Sequence, residues 1–200
     1  SKESLSEILQ NFPLKPDVTK VQVYNNEYKS GLFHDAVLEL TTGNKDLQQC
    51  ADSIIRLKAE YLYQNKQYPA IHFNFVNGFR ADYDRWRMGY RIRINNNSTT
   101  WFKSTTSTTS YESFLRYLEV VFSYASTLSL EKELKDVNIK DMDIGDIFIT
   151  GGSPGHCVIV VDMAVNPDTN KKVFMVAQGF MPAQDMHILK NLDNEPMSPW

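Results

Sequence analysis

The chain has 200 residues, of which 42% are hydrophobic and 12% are aromatic. A globular chain of this length buries about two-thirds or more of its unfolded surface, which is enough for one core. We therefore expect a single soluble domain spanning residues 1–200. With 21 basic and 24 acidic residues the net charge is −3, so no overall positive field would recruit nucleic acid or an anionic membrane.

No segment of the sequence is typical of a membrane span or a targeting signal. The longest apolar run, Val158 to Val161, is far shorter than the roughly 20 residues that cross a bilayer. No charged and apolar leader follows Ser1, so a signal is either absent or already removed. The two cysteines, Cys50 and Cys157, are too few for a disulfide scaffold and leave the cellular compartment open.

The first half of the chain combines short strands with one strongly periodic helix. We predict a helix at residues 4–10 and strands at 20–24, 36–40 and 71–76. The main helix is predicted because apolar side chains recur every three or four residues, namely Leu47, Cys50, Ile54, Leu57 and Tyr61. Asp46 followed by Gln49 resembles a capping box, which would start this helix at Asp46 and place Cys50 just past its first turn.

The second half changes from helical to strand periodicity. The arginine-rich and aromatic stretch 79–93 is predicted as a short helix leading into a strand. A long exposed polar connection follows at 95–110, with a strand fragment predicted at Trp101-Phe102. A helix is predicted over 111–126. The last elements form a β-meander within 146–179, with strands predicted at 147–150, 157–164 and 172–178. Helices early and a meander late predict an α+β fold, with helices packed on a mostly antiparallel sheet.

Cys50 and His156 are the residues most suited to chemistry. A thiol nucleophile needs a base, a group that orients the base, and donors for the oxyanion. His156 opens a strand after a glycine-rich turn, and Gln178 ends the next strand, where it could orient the imidazole. Strand alternation predicts that His156 and Cys157 point apart, with Cys157 facing away from the Cys50 helix. The alternative for Cys50 is a small buried hydrophobic residue on a helical stripe.

Two segments carry a resemblance to a known superfamily. Asp-Ile-Gly-Asp-Ile-Phe-Ile at 143–149 and Gly-His-Cys-Val-Ile-Val-Val at 155–161 resemble the Gly-Asp strand and the His strand of NlpC/P60 and papain-like amidases and peptidases. The resemblance implies that Cys50 is the nucleophile, His156 the base and Gln178 the orienting residue. It also implies a papain-like or NlpC/P60-like fold.

The chain as a whole resembles the domain of unknown function family 4846. The resemblance is carried by residues 43–52 (GNKDLQQCAD), 71–75 (IHFNF), 151–156 (GGSPGH) and 181–185 (MPAQD). It implies an exported bacterial envelope protein, periplasmic or anchored as a lipoprotein, whose signal has been removed. It implies no known activity.

These observations lead to two hypotheses. The first is a cysteine-dependent amidase or peptidase that cleaves an amide bond in peptidoglycan or another cell-wall polymer, with Gln49 or a helix-end amide serving the oxyanion. The second is a non-catalytic envelope protein that binds a cell-wall glycan or peptide through an aromatic and glycine-rich groove. The residues expected to bind substrate are Gln49, Trp86, Tyr90, Gly152 and Ser153.

We expect no cofactor and no metal. His34, His72 and His187 lack the spacing that a zinc site usually shows. The arginine and aromatic segment around Trp86 is read as arginine stems covering a packed aromatic stripe, so no nucleic acid is expected. The sequence leaves the oligomeric state open.

Overall fold

The computed structural model describes residues 3–31, 33–96 and 98–200. They form an α+β fold, as predicted. The helices are α1 (Leu5–Gln10), α2 (Cys50–Gln64), α3 (Tyr83–Arg87), α4 (Tyr111–Tyr124) and α5 (Thr127–Glu133). The strands are β1 (His34–Val37), β2 (His72–Asn74), β3 (Arg80–Asp82), β4 (Tyr90–Asn95), β5 (Ser98–Lys103), β6 (Ile147–Thr150), β7 (His156–Val165), β8 (Lys172–Gln178) and β9 (His187–Leu189).

The main sheet has five strands in the order β1-β9-β8-β7-β6. All its neighbouring strands are antiparallel, and β6, β7 and β8 form the predicted meander. Two further hairpins, β2–β3 and β4–β5, stand apart from this sheet. None of the helices in the described ranges is long and apolar enough to cross a membrane.

Several elements differ from the prediction. The strand predicted at 20–24 is wrong, because this segment makes only isolated bridges, from Gln22 to Tyr28 and from Val23 to Gln184. The strand fragment predicted at Trp101-Phe102 is confirmed but is longer than expected, since β5 pairs with β4 in a hairpin. α5 and β9 were not predicted, because each is too short to show a clear hydrophobic period.

The predicted start of the Cys50 helix is also wrong. Asp46 and Gln49 do interact, but through their side chains: Gln49 Nε2 donates to Asp46 Oδ1 at 3.0 Å. The same carboxylate oxygen accepts the Ala183 N–H at 2.7 Å. Asp46 therefore ties two loops together instead of capping a helix. α2 begins at Cys50 itself, with Gln49 as its N-cap.

Helix α2 is the central helix of the core. Its apolar residues, including Ile54 and Leu57, are 3% exposed and belong to one cluster that includes Cys157 and Ile159 of β7. Its polar face is also buried: Arg56 donates to Glu60 at 2.7 Å, and the Tyr111 hydroxyl of α4 donates to Glu60 at 2.6 Å. Because the buried charges are paired and hydrogen-bonded, α2 is fixed between the sheet and α4.

Candidate active site

Cys50 occupies the first position of α2 and is half-buried. Main-chain N–H groups in the first turn of a helix lack intrahelical acceptors and give the helix start a positive partial charge. The N–H of Ala51 uses this freedom to bond to the Cys50 thiol. The structure thus puts the thiol where a thiolate is stabilised.

His156 is the first residue of β7 and is half-buried. The glycine-rich loop before it is held against α5, where the Gly151 N–H donates to Glu131 Oε1 at 2.9 Å. The fit at Gly155 is close, since a Cβ there would lie 2.3 Å from Thr127 Oγ1. The ring of Phe180 contacts the imidazole edge to face, with 5.3 Å between centroids. The loop and Phe180 together restrict the position of the imidazole.

Gln178 is the last residue of β8, the neighbour of β7 in the sheet. Its Oε1 lies 2.8 Å from His156 Nε2. The His156 side chain in turn forms a hydrogen bond with the Cys50 thiol. The structure therefore brings together Cys50, His156 and Gln178, from a helix start, a strand start and a strand end.

The Cys50 thiol also bonds to a second cysteine. Several contacts together lower the pKa of Cys50 to about 5 against the opposing effect of burial. The largest effect is a hydrogen bond with the Cys157 thiol, followed by the hydrogen bonds with His156 and the Ala51 N–H and by the charge of His156. The same thiol-thiol bond, together with burial, raises the pKa of Cys157. Cys50 carries the negative charge because the helix start and His156 act on Cys50 and because Cys157 is 1% exposed.

This contact corrects the predicted orientation of Cys157. We expected Cys157 to face away from the Cys50 helix, but α2 covers the buried face of β7, to which Cys157 and Ile159 belong. His156 reaches Cys50 in spite of alternation, because it stands at the very end of the strand. Both cysteines are free in the structure.

The residues expected to bind substrate differ in their exposure and do not all line the candidate site. Trp86 is 4% exposed and its indole N–H donates to the Ser113 main-chain carbonyl at 3.0 Å, so it is a core residue and offers no surface to a ligand. Tyr90 lies on β4, where Arg85 packs over its ring. Gly152 and Ser153 are exposed in the loop before His156.

Gln49 stands next to the candidate nucleophile, but its side-chain amide is held by Asp46. The Cys50 main-chain N–H, at the first helical position, has no acceptor within α2. It is therefore the donor best placed by the fold to receive an oxyanion that forms on a carbonyl attacked by Cys50.

Sequence reasoning missed His187, the first residue of β9. Its Nε2 lies 3.2 Å from Gln178 Nε2 and its ring is 5% exposed. We considered His187 only as a metal ligand, and a strand of three residues shows too little alternation to reveal which side chains face the site. Within the described ranges, no three His, Cys, Asp or Glu side chains are grouped so as to hold a metal ion.

A cleft of about 310 Å³ opens beside Gln178 and His187. Its other walls include Lys29, Phe33 and Phe180. A larger cleft of about 410 Å³ lies against β6 and contains none of the candidate catalytic residues. The smaller cleft therefore adjoins the candidate site at Gln178, while Cys50 and His156 are not among its lining residues.

Asp52 is a buried acid in the first turn of α2. One of its oxygens accepts the Gln49 N–H at 3.1 Å, and the other has no hydrogen-bond partner. Burial raises the pKa of Asp52 to about 8, and the nearby Cys50 charge acts in the same direction. This pKa is higher than the value of about 3.9 in an unfolded chain. Protonated Asp52 therefore favours the folded state, and this contribution to stability is complete below about pH 4. That stabilisation is lost as the pH rises towards 8.

We therefore expect Asp52→Asn to be more stable than the wild type at pH 9, by at least about 1 kcal/mol, and close to it at pH 4. The asparagine keeps an oxygen for the Gln49 N–H but cannot ionise. Thermal unfolding at both pH values measures the difference, at about 2–4 °C for each kcal/mol. A constant gap between the two proteins at pH 4 and pH 9 would contradict a raised pKa.

Among curated proteins and solved structures, none matches the chain significantly. One family model, described as a domain of unknown function, matches residues 1–200, the whole chain. The chain therefore belongs to the domain of unknown function family 4846.

Proposed function

We propose that the protein is a cysteine-dependent amidase or peptidase of papain-like or NlpC/P60-like type. One observation carries the proposal: a thiol at a helix start bonds to an imidazole that is itself bonded to the Gln178 side-chain oxygen. A nucleophile, a base and an orienting group in such contact are what acyl transfer through a thioester requires. The lowered pKa of Cys50 supports the same assignment.

The proposed reaction has two steps. The Cys50 thiolate attacks the carbonyl carbon of an amide, and the oxyanion is received by the Cys50 main-chain N–H. His156, holding the proton taken from Cys50, gives it to the leaving amine, and a thioester forms. His156 then takes a proton from water, and the resulting hydroxide attacks the thioester carbonyl. The bond from carbon to the Cys50 sulfur breaks, His156 returns its proton to that sulfur, and the free acid leaves.

The substrate and the location belong to the proposal as well. We infer an amide in a cell-wall peptide, and an exported protein of the bacterial envelope, from the family resemblance of the sequence motifs. The cleft beside Gln178, with Lys29 and two aromatic rings in its walls, is consistent with an acyl group that carries apolar and anionic parts. The alternative, a cell-wall binding protein, is less well supported, because Trp86 is buried and cannot belong to its proposed binding surface.

Acyl transfer to Cys50 is directly measurable. Incubation with 4-nitrophenyl acetate should release a burst of nitrophenol and add one acetyl group to Cys50, as seen by intact-protein and peptide mass spectrometry. Cys50→Ala should show neither the burst nor the adduct, because the nucleophile is removed. Cys157→Ala is the matched control and should still be acetylated at Cys50.

Purified peptidoglycan sacculi provide the test of the substrate. The wild type should release soluble peptide fragments with new carboxyl and amino ends, and Cys50→Ala should not. Acetylation of Cys50 without any release of fragments from sacculi would support the proposed thiol hydrolase but reject the proposed cell-wall substrate. Absence of both would reject the enzyme and leave the binding protein as the better account.

A further inference from the structure

The hydrogen bonds of the candidate site continue beyond Gln178 into the buried side of the sheet. Gln178 Nε2 lies 3.2 Å from Nε2 of His187. On the other side of the His187 ring, Nδ1 lies 2.9 Å from the main-chain carbonyl oxygen of Asp185. The chain of contacts is therefore Cys50, His156, Gln178, His187 and a main-chain carbonyl.

The main-chain carbonyl at the end of this series sets which atom donates and which accepts in every other hydrogen bond of the series. A carbonyl oxygen can only accept a hydrogen bond, so Nδ1 of His187 carries the hydrogen. Nε2 of a neutral His187 is then an acceptor, and the atom of Gln178 that faces it is the amide nitrogen. This leaves Gln178 Oε1 facing His156, whose Nε2 must carry a hydrogen to donate to it. Nδ1 of His156 is then the ring nitrogen free to take the Cys50 proton.

We propose that His187 is a positioning residue of this site, and that its protonation switches the site off. A proton on Nε2 would turn the acceptor into a donor and repel the Gln178 amide hydrogens. Gln178 would then flip and present its amide hydrogens to His156, which could no longer donate to it. The proposal rests on the hydrolase function argued above and adds a regulation to it.

The groups around His187 keep it neutral at neutral pH. Burial lowers its pKa, while the Asp185 main-chain bond and the Asp185 charge oppose this effect. Asp185 is neutralised in part by Lys15, at 2.8 Å. From β1, the ring of His34 stands edge to face at 6.1 Å, and its charge also lowers the pKa. Lys29 shares the cleft with His187, so no unpaired acid stabilises a proton there among the described residues.

The wild type alone allows a first test. Two-bond proton-nitrogen correlation spectra of the histidine rings distinguish the two neutral tautomers. We expect His187 to carry its hydrogen on Nδ1, and His156 to carry a hydrogen on Nε2 both when it is neutral and when Nδ1 also holds the proton taken from Cys50. As the pH is lowered, protonation of His187 should shift the Gln178 side-chain amide and the His156 ring nitrogens together. His187 with its hydrogen on Nε2, or a titration of His187 that leaves His156 unchanged, would overturn the proposal.

Variants provide the second test, with iodoacetamide as the probe of Cys50. His187→Phe should raise the inflection of the Cys50 alkylation profile above about 5, by no more than His156→Ala raises it, because His156 loses its fixed orientation. His187→Gln, which can still accept a bond but cannot be protonated, should restore most of the wild-type profile and keep it at acid pH. His34→Gln is the matched control, since it changes the neighbouring histidine and leaves the chain intact.

The outcomes separate this proposal from the hydrolase function. If His156→Ala leaves the pH profile of Cys50 alkylation unchanged, the catalytic pair itself is rejected. If His156→Ala moves the profile and folded His187→Phe and His187→Gln both behave like the wild type, only the role of His187 is rejected. If His187→Phe does not fold, the tautomer measurement on the wild type decides.

Discussion

Replacing His156 by alanine should slow alkylation of Cys50 at pH 6 by up to about tenfold. With a pKa of about 5, Cys50 is mostly thiolate at this pH, whereas a free cysteine with a pKa of about 8.5 is less than about 1% thiolate. That difference in thiolate is a few hundredfold, but a thiolate of lower pKa is a weaker nucleophile by about 25- to 50-fold. The net loss is therefore about tenfold if the whole shift disappears.

The expected loss in rate is much smaller, because His156 is only one source of the shift and each unit by which the pKa rises also makes the thiolate more nucleophilic. The bonds from the Cys157 thiol and the Ala51 N–H remain in the variant. The pH dependence of the rate is therefore the sharper readout: its inflection should move from about 5 to a higher pH by roughly one unit or more. Rates measured with iodoacetamide between pH 4.5 and 9, with peptide mapping, give both quantities.

Two controls make the result specific to the pair. His72→Ala removes another half-buried histidine, on β2, and should leave the Cys50 profile unchanged. Cys157, which is buried and has a raised pKa, should label only after unfolding. An identical profile for the wild type and His156→Ala, with both proteins folded, would show that the imidazole does not act on Cys50.

Much of the candidate site could be predicted because its residues stand at the ends of elements. His156 follows a glycine-rich turn and Gln178 closes the next strand, so antiparallel pairing brings them to one end of the sheet. The start of α2 could not be located from the sequence, because Asp46 and Gln49 have the spacing of a capping box. In the structure their side chains bond to each other instead, and Asp46 also accepts the Ala183 N–H. Only tertiary contacts distinguish these two uses of the same pair.

The remaining errors have the same origin. Trp86 is an aromatic residue of the kind that often binds ligands, but its indole N–H donates to the Ser113 carbonyl of α4 and its ring is buried. The side of β7 that α2 covers is set by the whole sheet, so local alternation did not reveal the bond between Cys50 and Cys157. His187 acts through Gln178, and a positioning residue of this kind has no local signature.

The junction between β8 and α2 depends on the absence of a side chain at Gly179. This buried residue follows Gln178, and a Cβ at its position would lie 2.1 Å from Ser53 Oγ and 2.8 Å from the main-chain oxygen of Gln49. The Ser53 hydroxyl could turn away, since it has no partner. The Gln49 oxygen cannot, because it accepts the Ser53 N–H at 2.9 Å in the first turn of α2.

Gly179→Ala should therefore push the end of β8 away from the start of α2 and separate Gln178 and His156 from Cys50. We expect a loss of about 1–3 kcal/mol in the free energy of unfolding, seen as a fall of several degrees in the thermal midpoint. We also expect the inflection of the pH profile of Cys50 alkylation to rise above about 5, because its bond to His156 lengthens. Thermal unfolding and iodoacetamide labelling of the folded protein measure the two effects.

A second variant shows whether the close approach is the cause. Ser53→Gly in the Gly179→Ala background removes the hydroxyl and the Ser53 Cβ, which would lie 2.8 Å from the new methyl group. It leaves the Gln49 oxygen in place and adds the cost of a helical glycine, about 1 kcal/mol. Cys50 reactivity should therefore recover in part, while stability recovers little. Wild-type stability and reactivity in Gly179→Ala alone would mean that β8 and α2 tolerate separation, and that their contact does not hold Cys50 against His156.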